Sequence, residues 1–241
     1  MLKLSTTRHC LLLASVGAVL VTSQVAQAQD PRIIDAVTAA KADDDIENIP
    51  RRAYDAGQLI GSNQISLTKP NVGALGRGMV EAIVEEPTFV SAATTPAVQP
   101  QNTIANKSDE IGEVAANIMV GIAGNRSVFK KTAKPIVFQL MKNLLKPVKT
   151  LAEFRTTTVF RDVAGSIALT IRNDVRIKSG LERDLRAFLL AKAAKIAGAQ
   201  NKSPIKKGLK QGFNGSLKYE DGNQYPNLSF VSDPVTDLRN I

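Results

Sequence analysis

Apolar residues recur every three or four positions along most of the chain, the spacing that gathers them on one face of an α-helix. The clearest stretch begins at Ser108 and keeps this spacing without interruption as far as Ile122. Asp109 and Glu110 lie in its first turn, where negative charge offsets the helix dipole. We therefore expect a helix that begins at Ser108 and ends before Gly124, since glycine favours helix ends.

Similar stretches on both sides predict further short-to-medium amphipathic helices. A proline in the first turn or a capping side chain marks the start of most of them. These predicted helices begin near Asp30, Pro50, Pro70, Ser127, Ser179 and Ser203. Residues 156–178 fit a helix at more positions than a strand, but Ile167, Leu169 and Ile171 also alternate with polar or small residues, so both structures stay open.

A further alternating stretch lies near the C-terminus. Leu217 and Tyr219 alternate with polar residues before a turn at 221–223, and Leu228 does so after it. This pattern predicts a small β-hairpin or an extended segment over residues 214–241. The predicted fold class is therefore mainly α, with the helices in a compact or loosely repeated array. The helices resemble the helix pairs of a solenoid, although the sequence shows no fixed repeat period.

The N-terminus has the three parts of a secretory signal peptide. Lys3 and Arg8 supply the positive charge, residues 10–21 are apolar and uncharged, and Ala26 and Ala28 provide the small residues of a cleavage site. An apolar run of this length falls short of the roughly 20 residues that span a membrane. We therefore predict a signal peptide at residues 1–28 and export to the periplasm or the cell exterior.

Loss of this signal peptide would remove His9 and Cys10, which are the only histidine and cysteine, and the chain contains no tryptophan. A mature chain of this kind builds no zinc site from Cys or His and runs no Ser-His-Asp or Cys-His mechanism. The acidic clusters lack the alternating ligands of a calcium loop. The sequence thus predicts a non-enzymatic protein with no cofactor and no metal.

Charge divides the chain into segments. Residues 29–86 form a predicted acidic helical segment, residues 87–106 are an uncharged linker rich in Pro, Thr and Ala, and residues 107–213 form a predicted basic helical domain. The formal net charge is +9, but residues 126–218 alone carry 21 basic and 5 acidic residues. Such a separation indicates a basic surface that meets an anionic partner or an acidic part of another copy.

The basic residues form two lysine clusters. If residues 126–149 form one helix, five lysines share a face opposite Phe129, Ile136, Leu140 and Leu144. The first cluster is Lys131, Lys134, Lys142, Lys146 and Lys149, and the second is Lys202, Lys206, Lys207 and Lys210.

These clusters lead to the main functional expectation, which is a binding or structural protein at the cell envelope. Cationic helices of this kind contact an anionic membrane surface or an envelope polyanion. No aromatic residues alternate with the lysines, so specific nucleic-acid binding is not expected. A helix that merely buries one face and exposes the other remains the simplest alternative.

Two other functions stay open. The acidic segment could pair with the basic segment of a neighbouring copy, giving a self-assembling homo-oligomer. Ser127 and Lys130 have the Ser-x-x-Lys spacing of a Ser–Lys hydrolase, and residues 178–180 are similar to the Lys-Thr-Gly strand of penicillin-recognising enzymes. No Ser-x-Asn lies between them, and Ser127 and Ser179 are both predicted helix caps, which weakens this reading.

The sequence also contains five Asn-x-Ser glycosylation acceptor sequences. Three of them directly precede predicted helices, where a turn-forming asparagine followed by a capping serine explains them equally well. Whether any is glycosylated stays open. The five asparagines are Asn106, Asn125, Asn201, Asn214 and Asn227.

Overall fold

The computed structural model describes residues 29–85, 108–149 and 156–218. Within these ranges the chain forms eight α-helices and one short 3-10 helix, and none of it is β-strand, which confirms the mainly α fold class. Residues 214–218 contain no strand, and the rest of the predicted hairpin lies outside the described residues. The predicted signal peptide and linker lie outside them too.

The helices are named in chain order, and the 3-10 turn Ile46–Asn48 directly precedes the second of them. They are α1 (Pro31–Lys41), α2 (Ile49–Gly61), α3 (Lys69–Val84), α4 (Ser108–Ala123), α5 (Arg126–Lys149), α6 (Thr156–Asn173), α7 (Val175–Ala197) and α8 (Lys202–Asn214).

Local sequence explains several of the helix starts. The side chain of Asp30 accepts a hydrogen bond from the backbone N–H of Arg32, and a proline follows in the first turn. Thr68 caps α3 in the same way. The helix start predicted at Ser179 is wrong, because α7 begins at Val175, where the side chain of Asp174 caps it. The ambiguous stretch 156–178 is helical, covering α6 and the first turn of α7.

Each helix packs most extensively against the helix two places along the chain. The odd-numbered helices therefore form one row and the even-numbered helices a second row. Helices within a row run parallel, because their contacts follow in the same order. Gly208 and Gly212 of α8 meet Arg161 and Gly165 of α6 in that order. This arrangement is a two-layered helical solenoid.

One hydrophobic core runs through both rows. α2 packs on α4 and α3 packs on α5, so helices from both sides of the 87–106 segment share this core. α4 lies at its centre, and every residue between Ile111 and Ala123 is buried except Glu113, which is half-buried.

Glycines allow the even-numbered helices to approach each other closely. A Cβ built at Gly121 of α4 would lie 2.7 Å from the Cα of Gly57 in α2. A Cβ at Gly208 would collide with the carbonyl oxygen of Arg161 in α6. Helix backbones meet at such crossings only where neither side chain intervenes.

Candidate functional site

Three lysines of the first cluster lie exposed on one side of α5. Lys131, Lys142 and Lys146 point away from the core, whereas Ile136 and Leu140 on the opposite side are buried. Across the described ranges, none of the three ammonium groups forms an ion pair. The structure therefore separates α5 into a buried apolar side and a solvent-facing basic side.

The other two lysines of this cluster connect α5 to α7. Lys134 Nζ lies 3.3 Å from a carboxylate oxygen of Asp184. Lys149 Nζ donates a hydrogen bond of 3.0 Å to the carbonyl oxygen of Ile196, in the last turn of α7. Burial, and secondarily the charge of Lys142, lowers the pKa of Lys149 below its ordinary value. These two residues are thus engaged within the fold.

The second lysine cluster lies on α8. Lys202, Lys207 and Lys210 are exposed and Lys206 is half-buried. α8 turns Gly208 and Gly212 toward α6, so Lys207 and Lys210 lie on the side that faces away from the helical rows. In the parts of the chain that the structure describes, these lysines also have no acidic partner.

The charged residues of α1 to α3 contrast with these lysines, because several of them are paired. Lys41 Nζ lies 2.7 Å from Glu85, and Arg52 Nε lies 2.6 Å from Asp43. The hydrogen bond from Arg52, with further donors from Asp45 and Asn48, holds the pKa of Asp43 below its usual range. Among the described residues, the exposed cations without an ion pair lie mostly on α5, α7 and α8.

A buried polar row on α6 lies outside the residues that the sequence analysis selected. Its four members recur every four residues and face the core: Thr158, Asp162, Ser166 and Thr170. Asp162 is fully buried and accepts hydrogen bonds from Ser108 Oγ at 2.8 Å and Arg161 Nε at 2.6 Å. In the sequence, this row could have been found from the four-residue spacing of polar residues within an apolar stretch.

A groove of about 530 Å³ lies where the C-terminal ends of α2 and α4 meet the start of α7. Arg176 is already bound there, since it pairs with Asp174 and its Nη2 donates to the carbonyl of Val120 at 2.8 Å. Its charge is balanced by the neighbouring carboxylate of Asp174, whereas the Asp55 carboxylate at the rim has no ion pair within the described residues. The polar residues at its rim are Tyr54, Asp55, Gln58, Ser62, Gln64 and Arg176.

The residues proposed for hydrolysis are not brought together into a site. Ser127 and Lys130 are both exposed near the start of α5, and the structure shows no hydrogen bond between their side chains. The side chains of Lys178 and Ser179 lie outside the described part. Among the residues that the structure describes, no group of three acidic, His or Cys side chains is placed to hold a metal.

The glycosylation acceptors occupy different environments. Asn125 is buried and donates a 2.6 Å hydrogen bond to Asn63, so its amide is engaged in the fold. Asn201 donates to the carbonyl of Ala197, whereas Asn214 is exposed at the end of α8. Asn106 and Asn227 lie outside the described residues.

Comparison with protein-family models, with curated proteins and with solved structures found no match. None of the described helices has the length and apolar character required to cross a membrane.

Proposed function

We propose that the protein is an exported, non-enzymatic helical scaffold at the cell envelope that binds an anionic membrane surface through α5. The observation that carries this proposal is the exposed and unpaired state of Lys131, Lys142 and Lys146, on the side of α5 opposite the core. A solenoid supports the proposal because its stacked helices hold such a surface rigid.

The geometry of α5 suits a flat anionic surface. Lys131 and Lys146 are 15 residues apart, which corresponds to about 22 Å along the helix axis. Val128 is one of the two large apolar residues that are exposed among the described residues. It precedes Lys146 by 18 residues, which is about five helical turns, so both residues lie on the same side of α5. Lysine ammonium groups would meet lipid phosphates while Val128 enters the headgroup region.

A vesicle-binding measurement tests this proposal. The native chain and the triple variant Lys131→Gln, Lys142→Gln, Lys146→Gln are mixed with vesicles of phosphatidylcholine alone or of an equimolar mixture with phosphatidylglycerol. Each lysine near an anionic surface contributes about 1 kcal/mol, so the variant should bind the anionic vesicles roughly 100-fold more weakly at low salt.

A control variant removes three exposed cations outside α5 through Arg51→Gln, Lys69→Gln and Lys218→Gln. Its net charge changes by the same amount as that of the triple variant, yet it should keep most of its affinity for the anionic vesicles. Equal binding to neutral and anionic vesicles, or an equal loss in the control, would overturn the proposal. Binding to a soluble polyanion without vesicle binding would overturn the membrane as partner. A fluorophosphonate label on Ser127 would contradict the non-enzymatic assignment.

A further inference from the structure

We infer that copies of this chain associate end to end, with the basic outer face of α8 in one copy against the acidic α1–α2 end of the next copy. The two rows of helices in the described residues leave two open ends. One end is formed by α1 and α2, and the other by α7 and α8. This inference concerns other surfaces than the proposed membrane-binding side of α5.

The outer face of α8 is basic. Gly208 and Gly212 contact α6, and at about 100° per residue Lys210 lies on the opposite side of the helix from them. Lys207 lies beside it, and both are exposed. α8 itself contains four lysines and no acidic residue. The end of the even-numbered row therefore presents positive charge without an acidic partner in the described structure.

The opposite end is acidic. Five exposed carboxylates in α1, the following turn and α2 have no ion pair within the ranges described. They are Asp35, Asp44, Asp45, Glu47 and Asp55. Arg32 and Arg52 at this end form ion pairs with Asp30 and Asp43. In the described part of this end, Arg51 is the exposed cation that has no ion pair.

Both the direction of the helices and their charge favour this contact over other pairings. Helices within a row are parallel, so α8 of one copy beside α2 of the next would continue the even-numbered row. Contact between two α8 faces would place lysines opposite lysines, and like charges at an interface cost several kcal/mol. Joining one end to the other uses two different surfaces, and such heterologous contacts give open chains of copies or closed rings.

Charge-reversal variants test the inference by sedimentation velocity at low ionic strength. The basic-end variant carries Lys206→Glu, Lys207→Glu and Lys210→Glu, and the acidic-end variant carries Asp35→Lys, Asp44→Lys and Glu47→Lys. The native chain should reach a weight-average mass of at least about twice the monomer, because the contact joins two or more copies. Each single-end variant should remain a monomer.

Restored association provides the decisive control. A chain with all six changes carries opposite charges at its two ends again, so it should associate as the native chain does. A 1:1 mixture of the two single-end variants should also associate. A native chain that stays monomeric at every concentration would overturn the inference, as would a six-fold variant with native helicity that fails to associate.

The α5 triple variant distinguishes this inference from the proposed function. It should lose vesicle binding and keep its native self-association. Loss of association in that variant would instead place the contact on α5 and would overturn the end-to-end arrangement. Retained association together with unchanged vesicle binding would refute the proposed function alone.

Discussion

Lys149 is a lysine of the basic cluster whose ammonium group is already engaged. Its bond to the carbonyl of Ile196 satisfies a group at the C-terminal end of α7 that has no partner within its helix. We predict that Lys149→Met lowers the free energy of unfolding by about 1 kcal/mol, through loss of a hydrogen bond and of a charge at the negative end of the helix dipole. Urea denaturation followed by circular dichroism measures this.

Lys146→Met is the matched control for this prediction. Lys146 lies on the same helix and is exposed, and no hydrogen bond to it occurs in the described structure. Its substitution should leave the unfolding free energy within about 0.5 kcal/mol of the native value, as surface changes usually do. Equal destabilisation by both substitutions would show that the Lys149 bond contributes nothing specific.

Ser108 differs from the capping role that its position at the start of α4 suggests. Its hydroxyl donates to the fully buried carboxylate of Asp162, 54 residues away. Removing one donor from a buried charge costs about 1–3 kcal/mol, so Ser108→Ala should destabilise the chain by that amount. Ser127→Ala, at an exposed serine, should be neutral in the same thermal or urea titration. A neutral Ser108→Ala would show that other donors satisfy Asp162 fully.

The Asp43 carboxylate provides a test at low pH. Because Arg52, Asp45 and Asn48 donate hydrogen bonds to its charged form, its pKa in the folded chain lies below the ordinary value of 3.8. The resulting stabilisation is present above the unfolded pKa and is lost as the pH falls through the folded pKa. NMR titration should show the lowered pKa, and Arg52→Gln should move it back toward 3.8. An unchanged pKa in that variant would contradict the assignment of Arg52 as the main cause.

At the scale of the helices, glycines decide how closely neighbours pack. A methyl group at Gly121 would lie 2.7 Å from the Cα of Gly57, and neither backbone yields without separating α2 from α4. We predict that Gly121→Ala costs at least about 2 kcal/mol, in the range of overpacked core substitutions, although alanine favours the helix. Chemical denaturation monitored by circular dichroism measures this loss.

Gly73→Ala is the control within the same fold. A Cβ at Gly73 would lie 3.0 Å from the side-chain amide nitrogen of Asn143, which is a movable group. The substitution should be close to neutral, because the gain in helix propensity of up to about 1 kcal/mol offsets a small shift of that amide. A comparable loss at both glycines would mean that the α2–α4 crossing has no special sensitivity.

Individual helices could largely be predicted from the sequence, whereas their contacts could not. Asp30 and Pro31 mark the start of α1 because capping and a fixed φ act within a few residues. The closeness of Gly57 to Gly121 and the bond from Ser108 to Asp162 depend on residues more than 50 positions apart. The contact at Gly78 of α3 is of the same kind, because a Cβ there would collide with the side chain of Val37 in α1.

At the scale of the whole molecule, two regular rows form without a repeated sequence. Each pair of helices needs only an apolar stripe facing the helix two places along, and many sequences supply that pattern. The spacing of α5 also predicted which of its residues are buried, since Phe129, Ile136 and Leu140 lie opposite the exposed lysines. It could not distinguish Lys149 from Lys146, because the carbonyl that binds Lys149 belongs to α7.

The same architecture predicts a gradient of local stability. α4 is buried on all sides and has neighbours in its own row on both flanks, whereas α1 ends its row and exposes 52% of Ile34. In stacked helical arrays each unit is stabilised mainly by its neighbours, so terminal helices open first. Native-state hydrogen exchange should therefore give α1 amides a lower opening free energy than α4 amides, which should exchange only through global unfolding.

The dependence of hydrogen exchange on protein concentration also tests the end-to-end contact. If α8 of another copy covers the α1–α2 end, raising the concentration at low salt should slow exchange in α1, because a ligand stabilises the surface it binds, and should also slow exchange in α4, because global unfolding breaks the contact. High salt should abolish this dependence of exchange on protein concentration, since it screens the charges that join the ends. Equal opening free energies for α1 and α4 in dilute solution would show instead that the two rows unfold as one cooperative unit.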